Sequence, residues 1–487
     1  MNAYFLLAAI FLPLLGGILL CLLRRVSYRT VKRYTAAVTL LTSVLTWAMI
    51  LTCKGDGITL LRFADSLVLR LRFDGLGRFF AGIIATLWPL TVLYGFSYME
   101  REERQSTFFG FFTVAFGVTL GIAMSGNLFT MYCFYELLTL STVPLVIHKL
   151  DRRSVRAART YFIFSLGGAA FAFAAMTFLI ANGITGDFIS GGLLTAYPYG
   201  KPNITLIFYL LGFLGFGVKA AVFPTDHWLP KASVAPTPVT ALLHAVAVVK
   251  SGVFAIIRLT YYAFGTALLK GTWVQTVVQC FAVFTMFYGA TRAVRETHWK
   301  RRLAYSTVAN LSYILFGVTM MTQEGLSAGL LHMAFHAEIK ILGFFCAGAV
   351  LHRTGREYIR ELDGLGRKMP VTFACFTVSA LALVGIPPFS GFVSKWQLLS
   401  AAAASEQVTA YVGAGVLLAA ALLTAVYMFT TVRRAWFPDW DADLSALSTL
   451  KEADWRMLVP MTLLAVGILL TGLFAQPILD AVLSIAA

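Results

Sequence analysis

The chain has 487 residues, of which 59% are apolar and only 13% are charged. Soluble domains carry about a quarter charged residues, so this composition excludes an ordinary soluble protein. The net charge of +16 would suit a nucleic-acid-binding protein, but the charges stand in short clusters between long apolar stretches. The composition therefore predicts an all-α, polytopic membrane protein that binds no nucleic acid.

Each of the apolar stretches is about twenty residues long, the length that crosses roughly 30 Å of hydrocarbon as a helix. The first has a basic cluster after it and no basic residue before it, which is the wrong polarity for a signal peptide. We predict about fourteen transmembrane helices, at residues 4–23, 34–52, 76–97, 107–124, 127–147, 159–181, 204–223, 237–262, 273–291, 303–321, 325–350, 370–400, 408–432 and 456–475.

The basic clusters all fall in connections on one side of these predicted helices. They are Arg24–Arg33, Lys149–Arg159, Arg292–Arg302 and Arg353–Lys368. Because Lys and Arg are enriched in cytoplasmic loops, this side is predicted to be the cytoplasm. Both termini are then expected outside, with an even number of spans.

The chain lacks the motifs that bind redox or nucleotide cofactors. It has no CxxC, no P-loop and no GxGxxG between a strand and a helix. The cysteines are scattered and are expected to pack as small apolar side chains; they are Cys21, Cys53, Cys133, Cys280, Cys346 and Cys375. We therefore expect no cofactor and no metal in this chain, whose driving energy must come from elsewhere.

Two of the predicted helices are interrupted. In the seventh, three glycines lead into Lys219, and Pro224 follows; in the twelfth, Pro387 and Pro388 precede Lys395. Either break alone suits a proline kink made for packing. As a pair in oppositely directed helices, five spans apart, they indicate an inverted repeat of five helices with the transport site at the breaks.

This repeat divides the chain into four predicted parts. Helices 1–3 occupy residues 1–106, the two repeats occupy 107–262 and 263–434, and a cytoplasmic loop with the last helix occupies 435–487. Residues 54–75 alternate apolar and charged side chains near their end and are expected to form a short hairpin that caps the bundle.

Ionisable side chains at membrane depth form the candidate functional site, because each costs about 2.5–3.5 kcal/mol or more to insert. Arg258 lies near the outer end of its span and is expected to be an anchor. The remaining candidates are Glu136, Lys219, His244, Lys250, His332, His336, Lys340 and Lys395.

His332, His336 and Lys340 are four residues apart and so stack on one helical face. Two histidines at this spacing suit zinc, but no third ligand is evident. Burial disfavours a charged lysine, whereas a nearby carboxylate favours it, so a Glu–Lys contact that opens and closes acts as a proton gate. Histidine titrates near neutrality and relays protons between such gates. We expect a relay from Glu136 and Lys219 to Lys395.

Four blocks of the sequence resemble, in order, the antiporter-like subunits of respiratory complex I, membrane-bound [NiFe] hydrogenases, formate hydrogenlyases and Mrp-type Na⁺/H⁺ antiporters. The blocks are KAAVFPTDHWLPKASVAPTPVTALLH from Lys219, RRLAYS from Arg301, HMAFHAEIK from His332 and GIPPFSGFVSK from Gly385. The resemblance covers nearly the whole chain.

The resemblance implies a role for every candidate except His332. Glu136 matches the fifth-helix glutamate that pairs with the broken-helix lysine, here Lys219. His244 and Lys250 match the eighth-helix connection, and Lys395 matches the terminal residue of the broken twelfth helix. His336 and Lys340 match the eleventh-helix residues. The chain departs from the family pattern in three ways. Lys231 stands where most relatives have aspartate, and Lys395 stands where some have glutamate. The long lateral helix of one complex I member is not seen in this sequence.

We consequently expect a proton-translocating subunit of a redox-driven complex in a bacterial or archaeal cell membrane. Its expected partners are the lipid bilayer, homologous antiporter-like subunits and a peripheral redox module. Two alternatives are a subunit of a Mrp-type Na⁺/H⁺ antiporter without a redox partner, and a structural subunit that retains the lysines as relics.

Overall fold

The computed structural model describes residues 2–23, 26–52, 57–439 and 450–486 of the chain. Within these residues the protein is predominantly helical. The helices are α1 Asn2–Leu22, α2 Tyr28–Thr52, α3 Gly75–Tyr98, α4 Gln105–Ala123, α5 Leu128–Val146, α6 Arg152–Ala181, α7 Pro202–Gly217, α8 Trp228–Ala232, α9 Thr237–Ala245, α10 Val248–Ile257, α11 Thr266–Leu269, α12 Trp273–Arg295, α13 Trp299–Thr319, α14 Gln323–Thr354, α15 Pro370–Val384, α16 Ser390–Ala404, α17 Val408–Trp436, α18 Trp455–Leu473 and α19 Gln476–Ala486.

Eleven helices of the described residues are long and apolar enough to cross a membrane. They include Thr237–Phe264, in which α9 and α10 continue into a π-helical turn at Arg258–Phe264. The predicted seventh and twelfth spans are absent from this set because each is broken into shorter pieces. The predicted tenth span, α13, is also absent from this set; it is buried almost throughout and carries several polar side chains.

The first break separates α7 from α8. Helix α7 ends at Gly217 and helical structure resumes only at Thr225–His227, just before α8. Pro224 has no N–H for a helical bond. Side chains from elsewhere satisfy the freed backbone: the Trp228 indole donates to the Val218 carbonyl at 2.7 Å, and the Phe223 N–H donates to Thr285 Oγ1 at 3.1 Å.

The second break separates α15 from α16 and contains Pro387 and Pro388. Helix α15 ends at Val384, and Gly385 follows in the left-handed region at φ +95°, which a glycine adopts without steric cost. Both predicted helix breaks are therefore present in the fold, at the predicted prolines.

A two-stranded antiparallel hairpin covers one end of the bundle, as predicted. Strands β1 (Gly57–Ala64) and β2 (Leu67–Arg72) pair from Gly57 opposite Arg72 to Ala64 opposite Leu67. The hairpin is tied to the α4–α5 turn, where the Arg72 N–H donates to the Met124 carbonyl at 2.8 Å. This end of the molecule also holds the start of α3.

Helix α14 is the centre of the bundle and spans 32 residues, most of them buried. It packs against α9, α13, α15, α16, α18 and α19. Large apolar side chains are exposed instead on the outer helices, including Leu15 of α1, Leu41 of α2, Leu422 of α17 and Leu463 of α18. These helices present the surface that faces lipid or other membrane subunits.

One helix was not expected, and some sequence-based expectations cannot be compared with the structure. The short C-terminal helix α19 follows the last predicted span and was not expected. Cys53, the beginning of the basic cluster at Arg24 and part of the predicted cytoplasmic loop, residues 440–449, lie outside the described residues.

Candidate functional site

Lys219 lies fully buried in the first helix break and pairs with Glu136 of α5. The Lys219 Nζ is 3.9 Å from Glu136 Oε1, and the glutamate side chain is 26% exposed. The same ammonium donates to the Tyr135 carbonyl and sits 3.4 Å from the centre of the Tyr135 ring. The predicted Glu–Lys contact is thus present in the fold.

The electrostatic energy of this contact is large enough to change the proton affinity of Lys219. Two unit charges about 4 Å apart interact by about 4 kcal/mol at an effective dielectric constant of about 20. That is about a thousandfold in a proton-binding equilibrium. Moving Glu136 away from Lys219, or towards it, therefore changes which form of the lysine is favoured.

Gly252 of α10 lets the first break lie against the bundle centre. A Cβ at this glycine would be 2.5 Å from the Ala220 N and 2.8 Å from the Lys219 carbonyl carbon. Both contacts are to backbone atoms, which cannot turn aside as a flexible side chain does. Glycine is therefore required for the present position of Lys219.

Lys250, two residues before Gly252, begins a row of titratable groups that lie next to one another. Its Nζ shares a hydrogen bond with His336 Nδ1. The rings of His336 and His332 stack with their centres 5.8 Å apart, and His332 Nδ1 is 2.9 Å from Ser394 Oγ. Each histidine Nε2 is buried without a hydrogen-bond partner in the described structure, which leaves a nitrogen open to a transferred proton.

Lys395 follows Ser394 and is anchored by the second break. Its Nζ donates to the carbonyls of Leu383 and Val384, the latter at 2.8 Å, at the open end of α15. These carbonyls lack helical partners because the chain leaves the helix at Gly385. The row that begins at Lys250 thus ends beside a lysine held by a broken helix.

Lys340 and His244 lie outside this row and make no hydrogen bond with it in the described structure. The Lys340 Nζ donates to Ser306 Oγ and, at 3.1 Å, to the Leu303 carbonyl of α13. His244 Nε2 is 3.4 Å from Ser233 Oγ, and its ring lies 4.8 Å from that of Phe344. Lys340 is therefore bonded to α13 and not to the histidines that share its helical face.

A polar cavity of about 370 Å³ reaches the Ser233 side of this site. Lys300 lines it and donates to the Ala235 carbonyl at 2.9 Å. His298 Nε2 lies 3.4 Å from Glu357 Oε2 on the same cavity, and burial lowers the pKa of His298. The cavity lies at the end of the bundle opposite the hairpin, among the predicted cytoplasmic connections.

Arg258, which the sequence predicts to be an anchor near the outer end of its span, is held by an ion pair inside the fold. It is fully buried and donates from both terminal nitrogens to the two carboxylate oxygens of Asp74, at 2.5 and 2.6 Å. The guanidinium also lies over the rings of Phe188, Phe254 and Tyr262. This pair joins α3 to the π-helical turn.

The buried or half-buried ionisable residues that sequence reasoning missed include Lys300, Asp226 and Glu338. Lys300 stands in a basic cluster that looks like a loop, and Asp226 stands in the broken segment. Both Asp226 oxygens are buried without a hydrogen bond in the described structure, and His227 Nδ1 lies 3.4 Å away. Glu338 of α14 lies between His336 and Lys340, and the four-residue spacing of those two residues drew attention away from it. Only Glu338 has apolar residues on both sides, which was the available signal.

The described residues contain no cluster of three or more His, Cys, Asp or Glu side chains with metal-ligand geometry. The chemistry that the site offers is proton transfer. It provides a Glu–Lys pair at one helix break, a lysine at the other, and a lysine–histidine–histidine–serine row that ends beside the second.

Residues 125–424 match the family model described as "NADH:quinone oxidoreductase/Mrp antiporter, TM". The chain is 32% identical over 418 residues to NADH-quinone oxidoreductase subunit N of Desulforudis audaxviator, covering 84% of this chain and 81% of that one. It is also 32% identical over 358 residues to the A subunit of the Na⁺/H⁺ antiporter of Alkalihalophilus pseudofirmus, covering 69% of this chain but only 43% of that longer protein.

Solved structures with the same fold come from similar membrane complexes. The fold matches a chain of the membrane-bound sulfane sulfur reductase, an archaeal respiratory membrane complex, with a TM-score of 0.87 and 25% identity over 99% of this chain and 96% of that one. It matches a chain of the Mrp complex from Dietzia sp. with a TM-score of 0.86 and 21% identity over 100% of this chain and 97% of that one. These relatives are subunits of multisubunit membrane complexes.

Proposed function

Because the chain belongs to the NADH:quinone oxidoreductase/Mrp antiporter membrane family, we propose that it translocates protons as the antiporter-like subunit of a redox-driven membrane complex. The observation that carries the proposal is the ion pair between Glu136 and Lys219, which places a protonatable amine in a broken helix within reach of a carboxylate. Such a pair changes its proton affinity when its contact is made or broken.

The proposed route begins at the polar cavity beside Ser233 and passes to His244. Lys300 holds the backbone of this segment through the Ala235 carbonyl. Opening of the Glu136–Lys219 contact releases the lysine proton towards Lys250. The adjacent His336 and His332 carry it to Ser394 and Lys395, while Lys340 adjusts the local charge from its place on Ser306.

We further propose the membrane arrangement expected from the sequence. Fourteen spans, with α7–α8 and α15–α16 each counted as one broken span, place both termini outside. Residues 107–262 and 263–434 then form inverted repeats, each with one break, while 1–106 and 435–487 flank them. The protein is proposed to lie in a bacterial or archaeal cell membrane.

The proposed complex contains homologous antiporter-like subunits and a peripheral redox module. We propose that this chain itself binds no cofactor, so that electron transfer in the module must drive the proton movement electrostatically. A charge that appears at the neighbouring subunit's edge would pull Glu136, which is partly exposed on α5, and so open the pair.

The second candidate function is Na⁺/H⁺ antiport without a redox partner, because the relatives include the A subunit of a Na⁺/H⁺ antiporter. Reconstitution of the purified complex in vesicles with a pH-sensitive dye separates the two. We expect an electron donor to produce a proton gradient, and iron–sulfur clusters to copurify with the chain. A gradient that instead requires Na⁺, in a complex free of clusters, would establish antiport and overturn the redox-driven proposal.

A further inference from the structure

Glu338 stands on α14 between His336 and Lys340 but faces the other way. A step of two residues turns an α-helix by about 200°, so its side chain points away from the titratable row. The half-buried side chain lines a cavity of about 790 Å³ formed by α2, α3, α14 and α19. The walls hold the end of α2 and the start of α3, so the cavity lies towards the hairpin end of the bundle.

The carboxyl group has little to stabilise its charge. The Thr471 hydroxyl donates to Glu338 Oε2 at 3.5 Å, the outer limit for a hydrogen bond. No Lys, Arg or His of the described residues lies within ion-pair distance of it. Among the described residues that line the cavity, Arg78 of α3 is the other ionisable one, and the rest of the lining is mostly apolar. A carboxylate in such surroundings is costly, which favours exchange with its neutral acid.

Glu338 also lies next to the second helix break. Thr471 precedes Gly472, whose α-carbon packs so tightly on the break that a Cβ would be 2.1 Å from the Pro388 carbonyl oxygen. On the other side, Ile339 reaches within 3.5 Å of the Cβ position of Gly391. The segment that holds Lys395 thus packs between the residues adjacent to Glu338 and its hydrogen-bond donor.

We propose that Glu338 is a proton-exchange site that connects the second helix break with the cavity at the hairpin end. This inference rests on the proposed proton-transport function. The Lys395 ammonium becomes an amine as the Glu338 carboxylate becomes a carboxylic acid; the acid then returns its proton to water in the cavity. One proton leaves for each one received, and no other reactant is required.

A lipophilic carbodiimide tests this site directly in the intact complex, in its membrane. Dicyclohexylcarbodiimide adds to a protonated carboxyl group that it reaches through an apolar path, and the adduct rearranges to a stable N-acylurea that retains all atoms of both reactants. We expect mass spectrometry to find the adduct on Glu338, with less adduct as the pH is raised and with loss of proton transport in parallel.

Variants provide the second measurement. Glu338→Gln cannot exchange a proton and should lower the transport rate by about tenfold or more, whereas Glu338→Asp should retain part of the rate and the adduct. Glu324→Gln, on the exposed first turn of the same helix, is the matched control and should transport normally.

Transport at the wild-type rate in Glu338→Gln, or an unlabelled Glu338 in a complex that transports protons, would overturn this inference. Lys219→Ala is measured in the same vesicles. If Lys219→Ala stops transport while Glu338→Gln does not, the exchange site is wrong and the proton-transport function stands. If Lys219→Ala has no effect, the proposed function itself fails.

Discussion

At the scale of single residues, the Arg258–Asp74 pair shows how the fold holds a buried charge by pairing it. Both groups bond to each other through two contacts, and aromatic rings surround the guanidinium. Asp74 also caps α3, since its Oδ1 accepts from the Gly77 N–H at 2.9 Å. The pair thus joins the beginning of one helix to the outer end of another.

We predict that Asp74→Ala lowers the free energy of unfolding by about 3–5 kcal/mol, because it leaves the Arg258 charge buried and unpaired. The measurement is the thermal unfolding of the purified protein. Asp65→Ala is the control: Asp65 pairs with Arg62 on the exposed hairpin, and its loss should leave the free energy of unfolding nearly unchanged. Equal effects of the two changes would contradict the structural role.

The same pair predicts a dependence of stability on pH. Burial raises the pKa of Asp74, but the Arg258 guanidinium outweighs burial and holds the pKa below its usual range. The stabilisation is therefore complete above the unfolded pKa of about 4 and is lost as the pH falls through the lower folded value. Asp74→Ala should remove this acid-dependent loss from the unfolding curve.

The sequence was informative about which charges are buried and less so about what they touch. Lys219 and Lys395 stand out because a charge within an apolar window is rare. Ser233, Ser306 and Ser394, which bond to the titratable groups, do not stand out because hydroxyl residues are common in membrane helices. Their contacts come from distant parts of the chain and depend on packing that no local pattern encodes.

At the scale of helices, both breaks were predictable because proline and glycine act through the local backbone. The length of each unwound segment was not, because it depends on hydrogen-bond partners outside the segment, such as Trp228 and Thr285. The π-helical turn and α19 were also not expected. Neither has a distinctive local pattern, and α19 is too short for a span.

Gly252 provides a test of how the first break is positioned. We predict that Gly252→Ala lowers proton transport by about tenfold, because its methyl group must push the Lys219 backbone away from α10, and a shift of about 1 Å can cost up to about a hundredfold in rate. The variant should still assemble with its partners.

Gly467→Ala is the matched control for Gly252→Ala. Gly467 lies in α18, and a Cβ there meets no atom within 4 Å. We expect its transport rate to equal that of the wild type. If Gly252→Ala also transported normally, the close packing of α10 on the break would have no bearing on transport.

At the scale of the whole molecule, the arrangement of the helices places the hairpin and the α5–α6 connection at opposite ends. We predict that a membrane-impermeant maleimide added to intact cells labels Asp65→Cys and not Arg153→Cys, in a background without native cysteines. Inverted vesicles should show the reverse. Both positions are exposed, so accessibility alone does not limit the reaction. Labelling of Arg153→Cys from outside would reverse the proposed orientation.

The central claim, that the lysine at the first break gates a proton path, is tested most directly by the rate of proton transport in vesicles that contain Lys219→Ala. We predict that transport falls to the uncoupled background while the complex assembles with all its subunits. Lys270→Ala, at an exposed lysine, should transport at the wild-type rate. Wild-type transport by Lys219→Ala in an intact complex would contradict the claim.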